Sequence, residues 1–147
     1  MSTPDWLVAA TPYLPMLNSA EDVNGIPRNL LVRIAWQESH FRADIISGAV
    51  RSAAGAVGLM QLLPQYFPGA GISVVNDVRM AAEFLRSLYQ RFGDWQCAVA
   101  AYNWGGGNVH HEYIQDHDSY VLADMPQQTQ DYVKGVFADV PVAGALV

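Results

Sequence analysis

Asn29-Leu30-Leu31-Val32-Arg33-Ile34-Ala35-Trp36-Gln37-Glu38 is an apolar helical stretch that closes on a carboxylate. Leu30, Ile34 and Glu38 are four apart, so they stack on one helix face. A carboxylate on a greasy face is expected to hold its proton, because desolvation penalises the charged form. Such a group is a usable general acid near neutral pH. The plainer alternative is a helix-end carboxylate whose tip reaches water.

Outward from this stretch the periodicity is helical almost throughout. Thr3-Pro4 predicts a helix start, with Pro at the first helical position, carrying Trp6, Leu7 and Ala10 and ending at Pro12 or Pro15. Asn24-Gly25 reads as a turn, and Pro27 as the opening of the helix that ends near Glu38 to His40. Residues 42–57 read as mostly loop, followed by a short helix around Leu59-Met60-Gln61-Leu62 that stops before Pro64. Asn76 or Asp77 is expected to cap the clearest amphipathic helix, with Val78, Ala81, Ala82, Leu85, Leu88, Tyr89 and Phe92 inward and Gly93 as its stop. Asp94 caps the next helix, which reaches Tyr102 and breaks at Gly105-Gly106-Gly107; another runs from Asn108 to about Gln115. The last begins near Pro126 and runs to about Ala138, with Thr129, Tyr132, Val133, Val136 and Phe137 inward. Val140-Pro141 and the small residues beyond read as a loose tail. Strand character is confined to Gly71–Val75 and Gly48–Arg51, so the expectation is a mainly α fold with at most a short hairpin near residues 46–54.

The chain has 147 residues, 51% of them hydrophobic and 15% charged, which suits one domain with a real core over 1–147. Its net charge is −6, and its seven arginines and single Lys134 form no run. A nucleic-acid partner is disfavoured, since phosphate binding needs a basic footprint, and so is attraction to anionic lipid. Cys97 is the only cysteine, so no intramolecular disulfide can form, and its alanine-rich setting reads as a buried small apolar residue. No apolar stretch is long enough to span a bilayer. Met1-Ser-Thr-Pro-Asp-Trp6 has no basic region and is not read as a secretory signal.

Four segments, taken in order, resemble the catalytic domain of the lytic transglycosylases, the lysozyme-like murein-cleaving family. Glu38-Ser39-His40-Phe41 matches Glu-Ser-x-Phe at that family's catalytic acid. Ser52-Ala-Ala-Gly55-Ala56-Val-Gly58-Leu59-Met60-Gln61-Leu-Leu-Pro64 matches Ser-x-x-Gly-Ala-x-Gly-Leu-Met-Gln-x-x-Pro. Ala101-Tyr102-Asn103-Trp-Gly105 matches Ala-Tyr-Asn-x-Gly, and Thr129-Gln-Asp-Tyr132-Val133 matches Thr-x-x-Tyr-Val. Each motif is weak alone; the ordered set is specific, and the resemblance covers residues 27–138 at its core.

The resemblance implies a lysozyme-like α domain with a substrate groove and a single catalytic residue, Glu38. The substrate-binding set is Ser52, Gly58, Met60, Gln61, Tyr102, Asn103, Tyr132 and Gln128. Gly55 and Gly58 would let backbone approach a sugar chain, Gln61 and Ser52 would hydrogen-bond polar groups, and Tyr102 would offer a ring and a hydroxyl. Asn103 would tie down a neighbouring loop, and Tyr132 would close the far side. Core packing is the plainer role for Met60, Tyr102 and Tyr132, and backbone capping for Gln61.

Ordinary glycosidases need two carboxylates about 5 to 9.5 Å apart. No matched segment supplies a second one, and Asp44, the nearest in sequence, matches no motif acid. The family implies a one-acid route. Glu38 protonates the oxygen between N-acetylmuramic acid and N-acetylglucosamine, then takes the proton of the muramoyl C6 hydroxyl, giving a 1,6-anhydro end. No cofactor or metal is called for. The implied partner is the peptidoglycan glycan strand at the bacterial cell wall, periplasmic or exterior. Delivery would be as part of a phage particle or secretion assembly, or by release at lysis. Two alternatives stay open: a muramidase of the goose-type lysozyme kind, and a catalytically silent wall-binding component.

Departures from the family pattern are visible. The loop between Phe41 and Ser52 is about five residues longer than usual, which loops tolerate. Gln128 stands where the family often has Glu, and Leu63 where it often has Met. His111-Glu112-Tyr-Ile-Gln115 lacks the second histidine of a zinc-protease helix; His110, His111 and His117 would be weak ligands at best. Gly105-Gly106-Gly107 precedes no Gly-Lys-Ser/Thr and is no phosphate loop, and the chain has no Gly-x-Ser-x-Gly elbow.

Overall fold

The computed structural model describes residues 2–115 and 122–140. The chain forms two compact units, Met1–Glu83 and Phe84–Val147, with the boundary inside a long helix.

In the first unit, α1 (Asp5–Ala10) follows Pro4 and buries Trp6 and Ala10. It stops at Ala10, just ahead of Thr11-Pro12, the first of the two expected stops. Pro15 instead lies in the first turn of α2 (Leu14–Asn24), where a missing N–H costs nothing because first-turn amides have no helical acceptor. Gly25, at φ 65°, ends α2 as expected of the Asn24-Gly25 turn. The next helix, α3 (Leu30–Ser39), begins three residues after Pro27. Leu30, Leu31, Val32, Ile34 and Ala35 have no exposed surface, so α3 is central, and α1 and α2 pack on it. Arg33 is buried as well, with its guanidinium 5.2 Å from the Trp6 ring centre.

A single-turn helix, α4 (Ala43–Ile46), interrupts the expected loop. The hairpin allowed near 46–54 is not formed, and the described residues hold no strand, only the isolated bridge between Val57 and Leu62. Glycines at positive φ, Gly48 at 83° and Gly55 at 91°, turn the chain before two strands can run alongside each other. The expected short helix at Leu59–Leu62 is a tight turn closed by that bridge. Gly58 at φ 81° and Gln61 at φ 51° are left-handed at either end, and a run this short carries no decisive period.

The long helix α5 (Val74–Phe92) starts before Asn76 and Asp77. Its cap is Ser73, whose Oγ accepts from the Asn76 amide at 3.1 Å. Val74 and Val75, with their strand-like composition, are drawn into the helix by that cap. Of the expected inner face, Val78, Ala81, Ala82, Leu85 and Leu88 are buried, while Tyr89 and Phe92 are half-buried.

In the second unit, α5 ends at Gly93, whose amide donates to the Tyr89 carbonyl at 2.7 Å. Asp94 caps α6 (Trp95–Trp104), its Oδ1 accepting from the Cys97 amide at 2.9 Å. Every residue from Trp95 to Ala101 is buried, Cys97 included, so α6 is the centre of this unit. Only Gly105, at φ 104°, breaks the chain: α7 (Gly106–Gln115) begins on the expected glycine break. A 3-10 turn (Leu122–Asp124) precedes α8 (Gln127–Phe137), which follows Pro126. Thr129, Tyr132, Val133 and Val136 form the buried stripe of α8, and Phe137 is half-buried. Both α7 and α8 pack on α6. Among the described residues no helix is long and apolar enough to cross a membrane. His117 and the tail from Pro141 onward lie outside the described residues.

Candidate active site

Glu38 sits half-buried in the last turn of α3. Ser39 beside it is fully buried; its Oγ donates to the Ala35 carbonyl at 3.0 Å and accepts from the Phe41 amide at 3.2 Å. That second bond ends the helix and turns the chain sharply. His40 (φ 52°) and Phe41 (φ 55°) are both left-handed, which costs a side-chain-bearing residue of order 1–3 kcal/mol each. Ring packing holds them there. Phe41 stacks on Tyr13 at 5.8 Å and on Trp36 at 6.4 Å, and Trp36 lies 4.4 Å from His40 between ring centres. Strain of this kind collects at functional sites, and here it fixes the helix end that carries Glu38.

The other end of α3 is fixed by a residue the sequence did not single out. Glu21, from α2, is fully buried and stands in for the missing side-chain cap. Its Oε1 accepts from the Asn29 amide at 2.9 Å and from Asn18 Nδ2 at 2.7 Å. Its Oε2 accepts from the Leu31 amide at 2.9 Å and the Val32 amide at 3.4 Å. Burial pushes the Glu21 carboxyl above its usual range, against the downward pull of those donors. The sequence pattern assigns no helix between Pro15 and the Asn24-Gly25 turn, and so offers none on which to place Glu21.

Ser52 is exposed, and its hydroxyl closes its own loop by accepting from the Ala56 amide at 2.9 Å. Neither of the roles expected for it, a sugar contact or a hold on Glu38, is needed to explain that bond. Beyond it, Met60 is fully buried beneath the 58–61 turn, while Gln61 is half-buried and donates from Nε2 to the Gly58 carbonyl at 2.9 Å. Gly58 has a reason of its own to lack a side chain. A Cβ there would lie 2.5 Å from Asp77 Oδ2. Asp77 is buried at the start of α5 and accepts from the Gly71 amide at 2.9 Å, so its carboxyl fastens the turn at Gly71 and fills the space beside Gly58. Burial pushes the Asp77 carboxyl up, opposed by the Gly71 bond. A Cβ added at Gly55 would meet only open space. Gly58→Ala adds both the clash and a left-handed alanine, so an expected loss of about 1–3 kcal/mol follows, measurable by urea denaturation.

In the second unit, Tyr102 and Asn103 end α6, both half-buried. The Tyr102 ring lies against Phe84, 5.6 Å between centres. Asn103 Oδ1 accepts from Thr129 Oγ1 at 3.0 Å, so the amide ties the end of α6 to α8 itself and not to a loop. One turn further along α8, Tyr132 is buried, and Gln128 is exposed in the first turn. Asp44 is half-exposed and paired with Arg42 at 2.7 Å, and that hydrogen bond holds its carboxyl below the usual range. His110 and His111 are exposed on α7, and no cluster of potential metal ligands occurs among the described residues.

The family profile of the transglycosylase SLT domain matches residues 15–120, and the chain belongs to that family. The peptidoglycan transglycosylase gp16 of Escherichia phage T7 is 26% identical across 91% of this chain, which corresponds to 11% of that protein. The soluble lytic murein transglycosylase of Escherichia coli (strain K12) is 29% identical across 77% of this chain and 20% of its own length. The chain therefore spans a minor part of either relative. The crystal structure of the 70 kDa soluble lytic transglycosylase of Escherichia coli superposes with a TM-score of 0.70 at 27% identity, covering 86% of this chain and 23% of that one. The lytic transglycosylase Slt of Pseudomonas aeruginosa, solved as an inactive mutant, gives 0.65 at 24% identity over the same shares. The fold is thus the lysozyme-like α fold of these enzymes.

Proposed function

We propose that this chain is a peptidoglycan lytic transglycosylase that cleaves the β-1,4 bond between N-acetylmuramic acid and N-acetylglucosamine, with Glu38 as its single general acid and base. The observation that carries the reading is the setting of Glu38. It is the half-buried carboxylate in the last turn of a helix buried from Leu30 to Ala35, followed by a strained aromatic-packed turn, in a chain of the transglycosylase family.

Glu38 donates its proton to the glycosidic oxygen as the bond to the muramoyl anomeric carbon breaks. The substrate's own 2-acetamido oxygen stabilises the cation, in place of a second carboxylate. Ionised Glu38 then takes the proton from the muramoyl C6 hydroxyl, whose oxygen bonds the anomeric carbon. The products are a free N-acetylglucosamine hydroxyl and a 1,6-anhydromuramoyl end, with Glu38 reprotonated and no water consumed.

Gln61 engages Gly58 through its amide nitrogen and has its carbonyl oxygen to offer to a sugar hydroxyl or acetamido N–H. Met60 supports that turn from beneath, Gly58 shapes it, and Ser52 closes the loop that leads into it. Tyr102, Asn103, Tyr132 and Gln128 are the other residues proposed to bind the substrate. The substrate places the protein's work at the bacterial cell wall. Likeness to a phage T7 protein across most of the chain supports a virion or lysis setting. The test is incubation with purified murein: soluble muropeptides appear, and their ends report the reaction.

A further inference from the structure

Asn103 is half-buried at the last turn of α6, next to Tyr102. Its amide carries an acceptor oxygen and a donor nitrogen on opposite sides of one carbon, so whichever side is held decides what the other presents. Thr129 makes that decision. Its side chain is buried, in the first turn of α8, and its hydroxyl donates to Asn103 Oδ1 at 3.0 Å. The next residue, Gln130, reaches instead to the carbonyls of Ala123 and Met125, at 3.2 and 2.8 Å, which fastens the first turn of α8 that carries Thr129. We infer that Thr129 is a positioning residue that locks the Asn103 amide with its NH2 outward, making Asn103 a donor selective for a carbonyl oxygen, as on an N-acylated amino sugar.

This inference rests on the proposed action on amino-sugar glycans and goes beyond it by assigning the direction of one hydrogen bond. A buried hydroxyl that donates to a buried-side oxygen leaves the half-exposed NH2 as the only part of the amide directed at ligand. A group that is itself only a donor, such as the ammonium of a de-N-acetylated sugar, finds no acceptor there.

The test separates grip from turnover. Soluble N-acetylated glycan fragments are titrated into the intact protein while the side-chain NH2 resonances of Asn103 are followed, and steady-state release from murein is measured in parallel. In the wild-type protein those resonances shift on titration. Thr129→Val keeps the shape and loses the hydroxyl; KM and the titrated Kd rise about tenfold, the weight of one neutral hydrogen bond, with kcat within about twofold. Thr129→Ser keeps the hydroxyl and restores wild-type grip. Asn103→Asp keeps an oxygen for Thr129 but replaces the outward NH2, so it weakens binding at least as much as Thr129→Val while staying folded. Adding Thr129→Val to Asn103→Ala changes Kd no further.

Wild-type binding by Asn103→Asp overturns the inference, as do equal defects in the valine and serine variants, additive effects in the double variant, or Asn103 resonances that ignore the glycan. A wild-type protein whose Asn103 resonances respond but which releases no muropeptide overturns the proposed reaction and leaves the inference standing. Release with unchanged Asn103→Asp affinity does the reverse.

Discussion

Glu38→Gln is expected to lower the release of soluble muropeptides from purified murein by about 10²–10⁴-fold, the usual weight of a general acid or base. Glutamine has the same shape and hydrogen-bonding reach but can neither give the leaving oxygen its proton nor take one from the C6 hydroxyl. Both halves of the proposed reaction fail together, and no matched motif supplies another acid to take over. The fold is expected to survive. Glu38 is half-buried at a helix end, and the turn after it is held by Ser39 and by the rings of Tyr13, Trp36 and Phe41. A circular-dichroism melt checks this, and clearing unchanged by the substitution would remove Glu38 from the mechanism.

Glu21→Ala has the largest expected effect on stability. Three backbone amides and Asn18 lose their acceptor at once, and two of those amides, of Leu31 and Val32, are buried. A buried polar group left without its partner costs about 1–3 kcal/mol, so the sum is expected at about 4 kcal/mol. Against a total stability of about 5–15 kcal/mol this is the difference between a folded and a marginal protein. Loss of the cap frees the start of α3, so activity falls with stability even though Glu38 lies at the other end. Glu21→Gln keeps one acceptor oxygen and loses less.

The pH dependence has a definite sign. Because burial raises the Glu21 carboxyl, the native state binds its proton more tightly than the unfolded chain does. Stability therefore falls as pH rises from the ordinary carboxylate range through the raised value, and is flat above it. Asp77 acts in the same direction. Denaturant melts across mildly acidic pH are expected to show this decline, and Glu21→Gln to flatten it.

What the sequence made legible was local. Asp94 bonding Cys97, Gly93 ending α5 and the stripe from Thr129 to Val136 each follow from chemistry within a few residues of where they act. The site motifs were legible through resemblance, because their order is specific even though each is short. What stayed hidden depends on distant partners. Pro15 reads as a stop unless the helix following it is known. Glu21 caps amides eight to eleven residues away. Gly58 invites a reading as a place for sugar to approach, yet the space beside it is filled by Asp77 from the first turn of α5. The hydrogen bond between Asn103 and Thr129 joins residues 26 positions apart, and no spacing rule encodes it. Four-residue runs such as Leu59–Leu62 carry too little period to tell a helix from a turn.

The most direct test is the mass of each fragment the protein frees from purified murein. Intramolecular capture by the muramoyl ring predicts anhydro ends, each one water lighter than the corresponding reducing end. Fragments that carry reducing ends throughout would contradict it, because a solvent molecule would then have been the acceptor and the chain would be a muramidase on the same fold.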